Sequence, residues 1–87
     1  MFVIIVYDIE VERIDGVRII LKQYLTWIQN SAFEGEITEG KLEELRIKLV
    51  SIIDKTKDSV IVYSVNNPKW LQKTVWGVEK NTAENII

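Results

Sequence analysis

The sequence predicts an α+β domain whose elements run β-α-β-β-α-β, with a further strand at the C-terminal end. Three observations carry that expectation. Two β-branched runs lie at residues 2–7 and 59–65, two stretches between them repeat apolar residues every three or four positions, and the connections are short. With right-handed crossovers this order gives a ferredoxin-like sandwich: four antiparallel strands, the first and third in the middle, with two helices on one face.

Phe2 to Tyr7 (FVIIVY) is apolar without alternation, as in a central strand covered on at least one face, and it ends at Asp8. Ile14, Val17, Leu21, Tyr24 and Ile28, widened by Ile20 and Leu25, predict an amphipathic helix over about residues 12–25. Residues 27–37 (WIQNSAFEGEI) read as extended chain. Trp27, Gln29, Ser31 and Phe33 would then share one face. Either Asn30-Ser31 or Gly35 can bend this segment into a hairpin, and the sequence leaves that choice open.

Thr38 is the expected N-cap of a second helix. Leu42, Leu45, Leu49 and Ile52 or Ile53 form its apolar stripe, which ends near Asp54. A polar link at 54–58 leads to a strand at 59–65, and Asn66-Asn67-Pro68 then punctuates the chain. Beyond it, Val75-Trp76-Gly77-Val78 and the apolar Ile86-Ile87 suggest a last short strand and tail. A strand of this kind can pair with an edge of its own sheet or of a second copy. We expect a homodimer with this tail crossing between protomers.

Eighty-seven residues, 47% hydrophobic and 28% charged, describe a single globular domain over residues 1–87. Its core lies at about 1–65 and its dimerising tail at about 66–87. Cysteine and histidine are both absent. That excludes a Ser-His-Asp triad, a Cys-His pair and a conventional zinc site. The net charge of −2 argues against a protein that coats nucleic acid nonspecifically, although local clusters of lysine and arginine can still bind it. No apolar run approaches the roughly 20 residues that cross a bilayer. The N-terminus reads as a buried strand and not as a signal peptide, so we expect a cytoplasmic protein without membrane contact.

A hydrolase without histidine or cysteine has to work through carboxylates and an oxygen-preferring cation such as Mg²⁺. Asp8 is the candidate catalytic residue and metal ligand, because the strand before it holds its backbone at the rim of the sheet. Taken alone it reads first as a solvated loop residue or a helix cap, and one carboxylate makes a thin metal site. A two-fold axis bringing two copies of Asp8 together would change that. Glu10, Glu12 and Asp15 read mainly as solvated acids.

Tyr7, Arg13, Arg18, Ser31 and Phe33 are candidates for phosphate or base contact. Each has a plainer reading: Tyr7 as core packing with a bonded hydroxyl, the arginines as a solvated helix face, and Ser31 and Phe33 as part of a half-exposed strand. Trp27, Trp70 and Trp76 read as core or dimer anchors in preference to base-stacking platforms.

The ordered set Tyr7-Asp8-Ile9, Glu12-Arg13, and Gln29, Ser31, Phe33 and Gly35 within Trp27 to Gly35 resembles the small CRISPR-associated Cas2 family. Asp58-Ser59-Val60, leading into the fourth strand, adds to it. The resemblance spans about residues 1–65. It implies a ferredoxin-like homodimer that acts in the acquisition of new spacers, bridging pairs of the integrase subunit Cas1 and holding duplex DNA. It also implies metal-dependent endonuclease activity on single-stranded RNA or duplex DNA, with Asp8 binding Mg²⁺ and Ser31 and Phe33 near the same cleft. Many relatives carry several arginines after the aspartate, whereas this chain has Arg13 and Arg18, which fits reliance on a partner for affinity. Two roles follow, a scaffold and a Mg²⁺-dependent endonuclease, and they are compatible. The alternative outside this family is a non-catalytic ferredoxin-like regulatory or RNA-binding module. The acidic composition and the sparse aromatics of the central strands suit that poorly.

Overall fold

The structure is a computed structural model that describes residues 1–65 and 71–78. Seven elements follow one another: β1 (Phe2–Asp8), α1 (Val11–Lys22), β2 (Thr26–Gln29), β3 (Ala32–Glu36), α2 (Glu39–Val50), β4 (Ser59–Val65) and β5 (Leu71–Gly77). The strands form one antiparallel sheet in the order β2-β3-β1-β4-β5. The first and third strands are interior, as the ferredoxin-like expectation requires, and the α+β class is as read from the sequence.

Alternation along β1 decides which residues meet the helices. Val3, Ile5 and Tyr7 are buried on the inner face, whereas Phe2, Ile4, Val6 and Asp8 point to the outer one. Phe33 of β3, Val60 and Val62 of β4 and Trp76 of β5 extend the inner face. Val17 and Leu21 of α1 and Leu45 and Leu49 of α2 cover it. Ile9, Leu25, Ile37 and Ile53, all outside the helices, complete the core.

Both helices stop earlier than their apolar stripes suggest. α1 ends at Lys22, and Leu25 reaches the core from the turn that follows; α2 ends at Val50. Apolar periodicity reports burial, and a buried residue just past a helix end continues the pattern without being helical. Ile28, taken with the first stripe, lies instead on β2 and is largely exposed. Thr38 caps α2 as expected, its Oγ1 accepting from the Lys41 N–H at 3.1 Å.

The hairpin bends at Asn30-Ser31, where Asn30 adopts a left-handed φ of 39°. A bulge between Trp27 and Gln29 shifts the register of β2 against β3. Turn and bulge together break the polar stripe of Gln29, Ser31 and Phe33 that uniform alternation would make.

β5 begins at Leu71, earlier than expected, and pairs with β4 of its own chain along its full length. Within one chain β5 thus covers the edge that β4 would otherwise present. Opposite Val60, Trp76 seats its indole in the chain's own core. Trp70 and the Ile86-Ile87 tail lie outside the described residues.

β5 ends at Gly77, with φ of 114°, and a Cβ there would stand 2.4 Å from the Asp58 carbonyl oxygen. The next N–H, of Val78, donates to that same oxygen at 3.0 Å. Gly77→Ala is expected to cost about 1–3 kcal/mol in backbone strain. Denaturant unfolding would read it, together with faster hydrogen exchange at Val78.

Candidate nucleic-acid site at the end of the first strand

Asp8 is the last residue of β1, paired in register with Ser59 of β4, and its side chain is exposed on the outer face of the sheet. The strand fixes its backbone while leaving the carboxylate at the rim. Ser59 beside it is buried, and its hydroxyl has no hydrogen-bond partner among the described residues.

The expected companions of Asp8 are elsewhere. Tyr7 precedes it and therefore points to the opposite face, where its ring lies 6.2 Å from that of Phe33. Its hydroxyl accepts from Arg18 Nε at 2.9 Å and approaches the Asn30 carbonyl at 3.5 Å. Phe33 is fully buried, cross-strand from Ile5. Ser31 sits in the hairpin turn, and its carbonyl accepts the Tyr7 N–H at 3.0 Å. Tyr7 and Phe33 thus belong to the core, on the sheet face opposite Asp8.

Arg13 is engaged by carboxylates of its own chain. Its Nε and one terminal nitrogen donate to the two carboxylate oxygens of Asp58 at 2.5 and 3.0 Å. Asp58 has no exposed surface, and it also accepts the N–H groups of Glu10 (2.9 Å) and Asp54 (2.8 Å). The Arg13 hydrogen bonds hold the Asp58 carboxyl well below the usual carboxylate range, overcoming the upward push of burial, with help from the two backbone N–H groups. This clamp ties the start of α1 to the start of β4, on either side of Asp8. The sequence reading missed it, because 45 residues separate the partners and neither is conspicuous alone.

Arg18 is placed otherwise. Besides Tyr7 it meets the half-exposed indole of Trp27, its guanidinium carbon 5.5 Å from the ring centroid, and Lys22 Nζ lies 5.8 Å from the same ring. The sequence neighbours of Trp27 are not basic, but its neighbours in space are.

Among the described residues no group of three acidic side chains is placed to hold a metal ion. Asp8 is a single carboxylate beside a neutral serine oxygen. These are hard donors of the type Mg²⁺ takes, but within one chain they do not make up a site. None of the described helices is long and apolar enough to cross a membrane.

Comparison with known proteins gives this arrangement a family. The model of the family described as CRISPR associated protein Cas2 matches residues 1–73. A protein of Thermodesulfovibrio yellowstonii named CRISPR-associated endoribonuclease Cas2 3 is 51% identical over 86 residues, covering 99% of this chain and 98% of its own. The CRISPR-associated endoribonuclease Cas2 of Thermococcus kodakarensis is 44% identical over 88 residues, covering 100% of both chains. Among solved structures, a crystal structure of cas2 superposes with a TM-score of 0.74 at 42% identity, covering 100% of this chain and 98% of that one. Streptococcus pyogenes Cas2 at pH 6.5 gives 0.69 at 29% identity, covering 76% and 87%. With the matching fold and the Asp8 rim, these likenesses place the chain: it belongs to the CRISPR-associated Cas2 family.

Proposed function

We propose that this protein acts in CRISPR spacer acquisition as a homodimer that bridges Cas1 integrase subunits and holds duplex DNA, and that the dimer carries a Mg²⁺-dependent endonuclease centre. The observation that carries the reading is the placement of Asp8 on an outer sheet face that no described element covers. Ile4 and Val6 of β1 and Ile61 and Tyr63 of β4 share that face with it. An apolar sheet face of this kind suits a second copy, and a two-fold axis there supplies the second Asp8 that one chain lacks. The name of the relatives, CRISPR-associated endoribonuclease, supports RNA as a substrate.

Asp8 from each protomer would hold the cation, which keeps most of its waters. When bound, it supplies an activated water and charge stabilisation at the phosphodiester. The chain itself contributes rigidity: β1 and the Arg13–Asp58 clamp fix the Asp8 backbone before substrate arrives.

Asp8→Ala is expected to lower Mg²⁺-dependent cleavage of single-stranded RNA by about 100-fold or more. Its unfolding free energy should stay within about 0.5 kcal/mol of the parent, because the side chain is exposed. Cleavage at the parental rate by the variant would remove the enzyme reading. The scaffold reading has its own check, spacer integration by Cas1 with and without this protein, and it fails if integration is equal in both.

A further inference from the structure

We propose that Trp27, with Arg18 and Lys22 laid against its ring, is a stacking platform for an unpaired base of a single-stranded nucleic acid. The proposal rests on the nucleic-acid function above and assigns it a contact away from Asp8, on the helical side of the sheet. Trp27 is cross-strand from buried Phe33, yet on edge strand β2 the residue is 49% exposed. The ring is held in place, since its Nε1–H donates to the Asn30 carbonyl at 2.9 Å, at the left-handed turn residue. An exposed indole fixed in this way loses little freedom when a base settles on it.

The charge around the ring indicates what it meets. Arg18 and Lys22 stand one helical turn apart on α1, and both reach the indole. Among the described residues neither forms an ion pair, whereas Arg13, Lys41 and Arg46 are each matched to a carboxylate. Arg18 uses its Nε–H on Tyr7 and has four further N–H donors on a guanidinium oriented by that bond. An aromatic flanked by two such cations repels a basic peptide and attracts a polyanion whose backbone meets the cations while a base meets the ring. In a duplex both faces of each base are already stacked, so the platform selects a single strand.

The test is fluorescence anisotropy of the full-length protein with labelled 12-nucleotide oligouridine, 12-nucleotide oligothymidine and a 12-base-pair duplex, in EDTA so that no cleavage intervenes. Trp27→Ala is expected to weaken single-strand binding about 5- to 100-fold and duplex binding less than about two-fold, and Trp27→Phe to restore most of the loss. Lys22→Gln should lower the salt dependence by about one charge. Loss on the RNA alone, or on both single strands, supports the platform and defines its sugar preference. Unchanged single-strand binding by folded Trp27→Ala, or an equal loss on the duplex, overturns the platform and leaves the Asp8 reading in place. A parent protein that binds none of the three probes overturns both.

Discussion

Arg13→Met is expected to lower the unfolding free energy by about 3–5 kcal/mol, because it strips the countercharge from a carboxylate with no exposed surface. Against a total stability of about 5–15 kcal/mol, that is a large share of what keeps such a domain folded. The Glu10 and Asp54 N–H groups still donate to Asp58, which places the loss toward the lower end of the range. Asp58→Asn alone is also unfavourable, since its amide turns N–H groups toward the guanidinium. The double variant should be more stable than the sum of the two losses predicts, and urea unfolding of all four proteins measures that coupling. Additive losses would show that the pair is not the clamp described above.

The same pair fixes a pH dependence. Asp58 has its carboxyl pushed below the ordinary 3.8, so the pairing contributes fully above that value. It is lost as pH falls below 3.8 toward the lower folded-state value, because the unfolded chain takes up the proton first. The parent should therefore lose stability across that acidic window, whereas Arg13→Met, already without the pairing, should have a flatter profile there. Thermal melts from pH 6 downward check this; parallel profiles would assign the acid sensitivity to other carboxylates.

Much of the fold was legible because the chain is locally consistent. The FVIIVY run, the three-four spacing of the helices and Thr38 before α2 each indicate the element that forms. The site was less so, for two physical reasons. Extended chain over residues 27–37, with its bend left open, placed Ser31 and Phe33 on one half-exposed face, but a turn at Asn30 and a bulge before Gln29 each reset the alternation. Contacts between elements are also invisible in sequence. Arg13 pairs with Asp58 and Trp27 gathers Arg18 and Lys22, and neither arrangement can be read until α1 is laid against the sheet. Asp8 was legible because its position needs a single inference, a polar residue ending a buried strand.

Phe33→Ala separates a core residue from a cleft residue, and it is expected to cost about 3–5 kcal/mol. The ring is fully enclosed, tilted against Tyr7 and flanked across the strands by Ile5 and Trp27, so its removal leaves a cavity. Phe33→Leu keeps most of that volume and should cost less than about 1.5 kcal/mol. If Phe33 acts only by packing, RNA cleavage should follow the folded fraction in both variants, and Phe33→Leu at low temperature should cleave at nearly the parental rate. A folded Phe33→Leu that has lost cleavage would mean that the ring does more than fill the core. Because Phe33 also backs Trp27, the Leu variant carries a second readout: weakened single-strand binding with intact cleavage would trace the defect to the indole and leave Asp8 unaffected.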